Sequence, residues 1–352
     1  MSQQNSKQSG WMNIWTKRGL FSALLWPFSL LFRLVVVFRR YAYKNNWFKS
    51  FRLPVPVVIV GNVFVGGTGK TPLVIWLVGI LRKAGFTPGV ISRGYGTSNV
   101  DPVLVTDHSK SDQAGDEPLL IVSQTGCPLV VCRKRVKAAE FLLNRHPEVD
   151  IIISDDGMQH YALARNEEIM LFDGRGSGNG WMLPAGPLRE PVSRRRDFTV
   201  INGNNSPAPG NPIYVDDMFL MRMVTDRAEQ LKDRTHVKKL QEIQTGSSGE
   251  MLKTVAAAGI GNPSRFFASL RMARLNFTEL PLPDHFAFTS NPFGTLDADI
   301  ILITEKDAVK CAQIEEVVSD DRIWVVPARV EIDNNDELER RIVEKCRECR
   351  FA

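Results

Sequence analysis

The segment Gly61-Asn62-Val63-Phe64-Val65-Gly66-Gly67-Thr68-Gly69-Lys70-Thr71-Pro72 joins a β-branched apolar run, Val57 to Val60, to a helical stretch from Thr71 to Ala84 that stops at Gly85. A glycine turn between a buried strand and a helix brings backbone N–H groups and the positive helix end onto a phosphate. Gly66, Gly67, Thr68 and Gly69 form the cradle, Lys70 reaches the terminal phosphates, and the Thr71 hydroxyl is placed to ligate Mg²⁺. One residue departs from the usual spacing. Phe64 stands six positions before the lysine, where a glycine is normal, so the three later glycines must carry the close approach.

Such a loop needs a sheet around it, and the sequence supplies one. Strand-like runs at Val90 to Ser92, Pro128 to Cys132, Asp150 to Ser154 and Glu168 to Phe172 alternate with helical stretches such as Arg133 to Arg145. Alternation of this kind predicts a mainly parallel sheet with helices on both faces. The Asn-, Gly- and Pro-rich segment Asn202 to Pro212 reads as a boundary, and a shorter αβ series follows, with strands near Thr254 to Ala258, Asp299 to Ile303 and Ile323 to Val326. The fold class is therefore α/β: a P-loop-containing parallel sheet plus a second, smaller α/β/α domain. The expected divisions are 1–50, an N-terminal membrane-associated helix region; 51–205, the P-loop domain; and 206–352, the smaller domain. The polar stretch Asp226 to Glu250 is read as a helix and an exposed loop.

The second chemical signal is Asp155-Asp156, at the end of the apolar run Ile151 to Ser154 and before Gly157-Met158-Gln159-His160. Carboxylates at the carboxyl end of a buried strand face the ligand crevice of such a sheet. Two adjacent carboxylates repel, unless a cation sits between them or one points elsewhere to do proton chemistry. Arg93-Gly94-Tyr95-Gly96 lies at another strand end. Asp116-Glu117-Pro118 opens a helix after Gly115, where Asp116 also suits a helix cap. Glu117 joins Thr71, Asp155 and Asp156 as a candidate metal ligand. The stiff loop Pro184 to Pro191 presents Arg189, and Arg194, Arg195 and Arg196 form a basic cluster fit for a phosphorylated or membrane-bound substrate, or for a solvated face. Asn62, Gln159, His160 and Arg189 are the candidate substrate contacts.

Leu20 to Phe38 is apolar apart from Ser22, Ser29, Arg33 and the helix-breaking Pro27, with Lys17, Arg18, Arg39 and Arg40 on its flanks. About 20 apolar residues cross a bilayer core, but Arg33 and Pro27 favour a helix lying in the interface over a clean span, and no small-x-small cleavage site follows. The chain as a whole, 43% hydrophobic and 24% charged, is too polar for stacked transmembrane helices. Its net charge of +5 suits an acidic partner without demanding nucleic acid. Five cysteines, odd in number and mostly in apolar stretches, point to a reducing compartment. Cys346 and Cys349 are read as two thiols on a charged terminal helix, because no second pair completes a zinc set.

The second half carries weaker motifs. Gly259-Ile260-Gly261 begins like a dinucleotide fingerprint, but Ser264 replaces its last glycine. Thr304-Glu305-Lys306-Asp307 is offset from a guanine-reading loop, so ATP is preferred to GTP. Pro283-Asp284-His285 sits in a loop rich in Pro and Phe.

Together, the Gly61 to Pro72 loop, Ser92 to Gly96, Gly115 to Pro118, Asp155 to His160, the Pro184 to Pro191 loop and Pro283 to His285 resemble the tetraacyldisaccharide 4′-kinases, which phosphorylate a lipid A precursor. The family's own loop shares the departure at Phe64. The resemblance implies an enzyme at the cytoplasmic face of the inner membrane, with ATP and Mg²⁺ as cofactors and an acylated disaccharide phosphate lipid as substrate. It further implies two α/β/α domains with catalysis in the cleft between them, and a pairing of Asp116 with His285 that activates the sugar hydroxyl. The residues alone do not rank Asp116 above Asp156 as base. Two other functions fit the loop: a soluble P-loop ATPase for protein or metal delivery, against which Val65 stands where that class has an extra lysine, and a membrane-docked nucleotide sensor without turnover.

Overall fold

The computed structural model describes residues 15–94, 101–106, 108–208, 210–246, 248–284, 286–288 and 290–350. Two compact units emerge: residues through Arg222 together with Glu331 onward, and Met223–Val330.

In the first unit the strands are β1 (Val57–Gly61), β2 (Pro88–Ser92), β3 (Val103–Val105), β4 (Leu129–Val131), β5 (Ile151–Asp155), β6 (Glu167–Asp173), β7 (Phe198–Asn202) and β8 (Met218–Val224). With β15 (Arg329–Ile332) they form one sheet in the order β15-β8-β7-β6-β1-β5-β2-β4-β3. The pairs from β8 through β4 run parallel, and the β3–β4 pair is antiparallel. Strands buried on both faces need continuous apolar runs, and β1, β5 and β6 are buried at every position. Because β1 lies between β5 and β6, the order reverses at β1, and the crevice at that reversal is where open α/β sheets take ligands.

The helices described with this sheet are α1 (Leu20–Lys44), α2 (Lys70–Lys83), α3 (Ser111–Ala114), α4 (Asp116–Thr125), α5 (Arg135–Arg145) and, at the C-terminus, Asn335–Arg350. The last returns to the first unit, although 206–352 was expected as one domain. Its Leu338, Ile342 and Cys346 are buried, and Lys345 Nζ reaches Glu167 at 3.1 Å and Asp197 at 3.2 Å. Residues 206–222 stay with the first unit as well, because β8 pairs with β7.

The second unit holds β9 (Arg227–Gln230), β10 (Val237–Lys239), β11 (Thr254–Ala258), β12 (Thr278–Pro281), β13 (Ile300–Thr304) and β14 (Ile323–Val326), in the order β10-β9-β14-β13-β11-β12. Its helices are α6 (Pro263–Met272), α7 (Glu305–Cys311) and α8 (Glu315–Val318), so the C-terminal helix is α9. Where a helix was expected after Asp226, β9 pairs antiparallel with β14 and with β10. The edge of β14 offers backbone partners to Arg227–Gln230, and that pairing outweighs a polar composition that reads as helical.

Candidate functional site

The phosphate loop is stitched to the Pro184–Pro191 loop. Phe64 bridges Leu188, the Val65 N–H donates to the Pro187 carbonyl at 3.0 Å, and the Arg189 N–H donates to the Val63 carbonyl at 2.7 Å. Phe64 is buried in the core for this reason, and the first half of the loop behaves as a short strand segment. The glycines then do the turning: Gly66 and Gly69 have φ of +107° and +94°, a region that disfavours side chains. Asn62, expected to touch substrate, is fully buried beneath the loop, where its amide donates to the Phe64 and Gly66 carbonyls at 2.8 and 3.3 Å. Lys70, the first residue of α2, donates to Asn62 Oδ1 at 3.3 Å and lies 3.5 Å from Asp156 Oδ1.

Asp155 and Asp156 occupy opposite environments. Asp155 is buried at the end of β5, accepts a 3.0 Å bond from the Ser92 hydroxyl, and leaves its other oxygen without a partner among the described residues. Burial, with Glu117 next, pushes its carboxyl up to about 6 against the pull of Lys70. Asp156 turns into the left-handed region at φ 48°, a strained setting for a non-glycine residue. Burial would raise its carboxyl, but Lys70 and Arg189 hold it below the ordinary carboxylate value; Arg189 reaches its two oxygens at 3.3 and 3.1 Å. Arg189 also lies 3.5 Å from Gln159 Oε1. Burial and the nearby Arg135 and Arg93 bring His160 down to about 4, so it carries a neutral imidazole at neutral pH.

Asp116 begins α4 and is buried, but it does not cap the helix: Gly115 holds the cap position, and the Asp116 carboxylate accepts from the Ser111 hydroxyl. Glu117 lies near enough to Asp155 to raise its affinity for a proton. His285, Tyr95 and Gly96 lie outside the described residues. Among the described residues no three His, Cys, Asp or Glu side chains form a metal cage.

In the second unit, Gly259 leaves room for Asp307, whose carboxylate accepts from the Gly259 N–H at 3.0 Å and from the Thr304 hydroxyl. Thr304 in turn accepts from the Asp307 N–H as the N-cap of α7. Gly259 and the Thr304–Asp307 turn thus have a shared structural use.

The basic cluster must be divided. Arg194 is 4% exposed and bonds the Met158 carbonyl at 3.0 Å, the Tyr161 hydroxyl at 2.9 Å, Glu190 at 2.6 Å, and Glu168. It faces neither lipid nor water. Arg196 binds the Val192 carbonyl and the Thr199 hydroxyl, and Arg195 is the exposed member. Arg194 and Arg165, which donates to the Met158 and His160 carbonyls at 3.1 and 2.6 Å, clamp the backbone that follows Asp156. Sequence reasoning also missed Arg135, buried and donating to the Asp155 carbonyl at 3.0 Å. A cation opening a helix, against the macrodipole, was the available signal.

The family model for tetraacyldisaccharide-1-P 4′-kinase matches residues 21–347 of the chain. A tetraacyldisaccharide 4′-kinase of Janthinobacterium sp. (strain Marseille) is 56% identical over 333 residues, 95% of this chain and 94% of that protein. One from Herminiimonas arsenicoxydans is 52% identical, covering 98% and 97% of the two chains. The crystal structure of LpxK from Aquifex aeolicus in complex with ATP is similar with a TM-score of 0.76 and 25% identity, over 93% of this chain and 99% of that one.

Proposed function

The chain belongs to the tetraacyldisaccharide-1-P 4′-kinase family, and from that premise we propose how its own residues divide the work. It is an ATP-dependent lipid-sugar kinase that moves the γ-phosphate of ATP to the 4′-hydroxyl of a tetraacyldisaccharide 1-phosphate, a step of lipid A biosynthesis. The observation that carries the division is Lys70, held between Asn62 of the phosphate loop and Asp156 of the β5 end.

In phosphoryl transfer, positioning and charge neutralisation supply most of the catalysis. Gly66, Gly67, Thr68 and Gly69 cradle the nucleotide phosphates, and Lys70 follows the group in flight. Mg²⁺, when bound, neutralises phosphate charge; Thr71, Asp155 and Glu117 are the residues to hold it, since Asp155 keeps an unpartnered buried oxygen beside Glu117. Asp156, already matched by Lys70 and Arg189, serves mainly to hold those two cations in place. Arg189, Gln159 and the neutral His160 form the acceptor side. Asp116 takes the proton of the 4′-hydroxyl as its oxygen bonds to the γ-phosphorus and the bond to the β-phosphate oxygen breaks, with His285 as its partner.

The same reading puts the enzyme on the cytoplasmic face of the inner membrane. α1 is long and apolar enough to cross a bilayer, yet it is held to the first unit from end to end. Trp26 lies tilted 6.5 Å from Trp181, ring centre to ring centre, the Ser29 hydroxyl donates to the Met182 carbonyl at 2.6 Å, and Arg39 and Tyr43 meet Tyr161. A helix of about 37 Å fastened along its length lies on a membrane rather than through it. Its outward stripe of Leu20, Leu24, Phe28, Leu31 and Phe38 continues into exposed Trp47, Phe48 and Phe51.

Purified protein incubated with labelled ATP and a panel of bacterial lipids should place label in a disaccharide lipid. ATP turnover that labels none of them would overturn the acceptor assignment.

A further inference from the structure

Three successive carbonyls of the phosphate loop are held by three side chains from separate parts of the first unit. The Asn62 amide takes Gly66 O at 3.3 Å, Arg175 Nη2 takes Gly67 O at 2.7 Å, and the Asn202 amide takes Thr68 O at 2.9 Å. Because a trans peptide points its C=O and N–H in opposite directions, fixing these carbonyls turns the N–H groups of Gly67, Thr68 and Gly69 to the other side. Among the described residues none of the three N–H groups donates to a protein acceptor. Successive N–H groups left open in this way form a concavity for anions.

The two distant side chains are built in. Asn202, the last residue of β7, is buried, and a Cβ on Gly69 would lie 2.5 Å from its Nδ2. Gly69 is therefore required twice, for its φ of +94° and for the room it gives Asn202. Arg175 follows β6. Its Nε and Nη2 bind the buried Asp173 carboxylate at 2.9 and 2.6 Å, and its guanidinium lies 4.5 Å from the centre of the Phe64 ring. The aromatic residue that replaces a glycine in this loop is thus the shelf on which Arg175 rests.

We propose that Arg175 and Asn202 are positioning residues which, with Asn62, hold the phosphate loop in its binding conformation before the nucleotide arrives. Preorganisation of this kind lowers the cost of binding rather than adding a contact. The proposal rests on the nucleotide reading of the loop and not on the lipid acceptor, so the measurement that decides it, ATP binding, needs no lipid.

ATP binding to the full chain is measured by titration calorimetry for the wild type, Asn202→Asp, Arg175→Met and Arg175→Lys, alongside each nucleotide-free melting temperature. Asn202→Asp sets a carboxylate against Thr68 O and should weaken ATP binding about tenfold or more, the scale of one buried hydrogen bond lost. Arg175→Met keeps the stem on Phe64 but loses the fork, and should weaken binding to a similar degree. Arg175→Lys keeps the charge and should not rescue it, since one ammonium lacks the planar fork that serves both Asp173 and Gly67. In turnover, KM for ATP should rise more than kcat falls. Variants that melt earlier yet bind ATP as tightly as the wild type would overturn the proposal. If Asn202→Asp does not fold, the two Arg175 variants decide. A wild-type protein that binds no ATP would defeat the nucleotide reading itself.

Discussion

Around the carboxyl ends of β1 and β5 the protein buries charge: Asp116, Asp155 and Arg135 are all nearly inaccessible. Along the outer face of α1 it exposes hydrocarbon, with Leu20, Leu24 and Leu34 at 92%, 73% and 66% exposure. α9 shows what the same unit does with an ordinary surface helix. There Leu338, Ile342 and Cys346 turn inward, and Arg340 sits outside between Glu337 and Glu344. α1 reverses this, burying Ser22 and Ser29 and facing its leucines outward. A buried charge is costly unless matched, and an extended apolar face in water is equally unusual, so each region marks the chemistry of what meets it. On the proposed reading, the crevice takes phosphate and metal and the α1 face meets lipid.

The largest effect should come from the crevice. Asp116→Ala and His285→Ala should each lower kcat with little change in KM for ATP, by about 10²–10⁴ for loss of the base. If the two residues act together, the double variant costs clearly less than the sum. Strict additivity would separate them and leave Asp116 as a carboxylate buried for structural reasons.

Next in size is a buried charge that touches no substrate. Arg194→Met takes the cation from buried Glu190, leaving it the Tyr161 hydroxyl while Glu168 keeps Arg165, and should cost about 3–5 kcal/mol in urea denaturation, the penalty for breaking a buried ion pair. Adding Glu190→Gln should recover part of the loss. An Arg194→Met protein as stable as the wild type would mean that water reaches these carboxylates. Lys70→Ala follows, with a loss of about 3 kcal/mol in transition-state stabilisation, a hundredfold in rate, when a clamp on the moving phosphoryl group goes. It should leave the urea midpoint nearly unchanged, which distinguishes a cation kept for chemistry from one kept for the fold.

What the sequence made legible follows from how local each feature is. Lys70 could be assigned because strand, glycines and helix are contiguous, and Asp155 because β5 is a continuous apolar run. Arg194 could not, because a triplet of arginines looks the same whether one member is buried or all are solvated. Its partners Glu168 and Glu190 are identified only once β6 and the Pro184–Pro191 loop are placed together. Arg175 and Asn202 are separated from the carbonyls they hold by 108 and 134 residues, and Asn202 stands where composition suggests a linker. β9 reads as helix in the sequence because its partner β14 lies far along the chain. The apolar N-terminal run was plain in composition, whereas its orientation depends on Ser29 meeting Met182, a contact between segments far apart in sequence.

The smallest predicted effect tests the lipid side of the comparison directly. Removing α1 would uncover the core against which Phe32 and Val36 pack, so a deletion mixes anchoring with folding. Leu34→Asp changes the outer face alone, since that side chain is already exposed in the folded protein. Burying a leucine contributes about 1.5–3 kcal/mol, so the variant should shift a large part of the protein from vesicles of anionic phospholipid to the soluble fraction in a flotation assay. Its melting temperature without lipid should stay within a few degrees of the wild type, because Leu34 is already 66% exposed. The matching substitution on α9, Glu344→Gln, should change neither partition nor melting, as it only loosens a surface ion pair worth under about 1 kcal/mol. If Leu34→Asp stays on the vesicles at high salt while melting lower, the leucines face protein and the contrast between the two helices disappears.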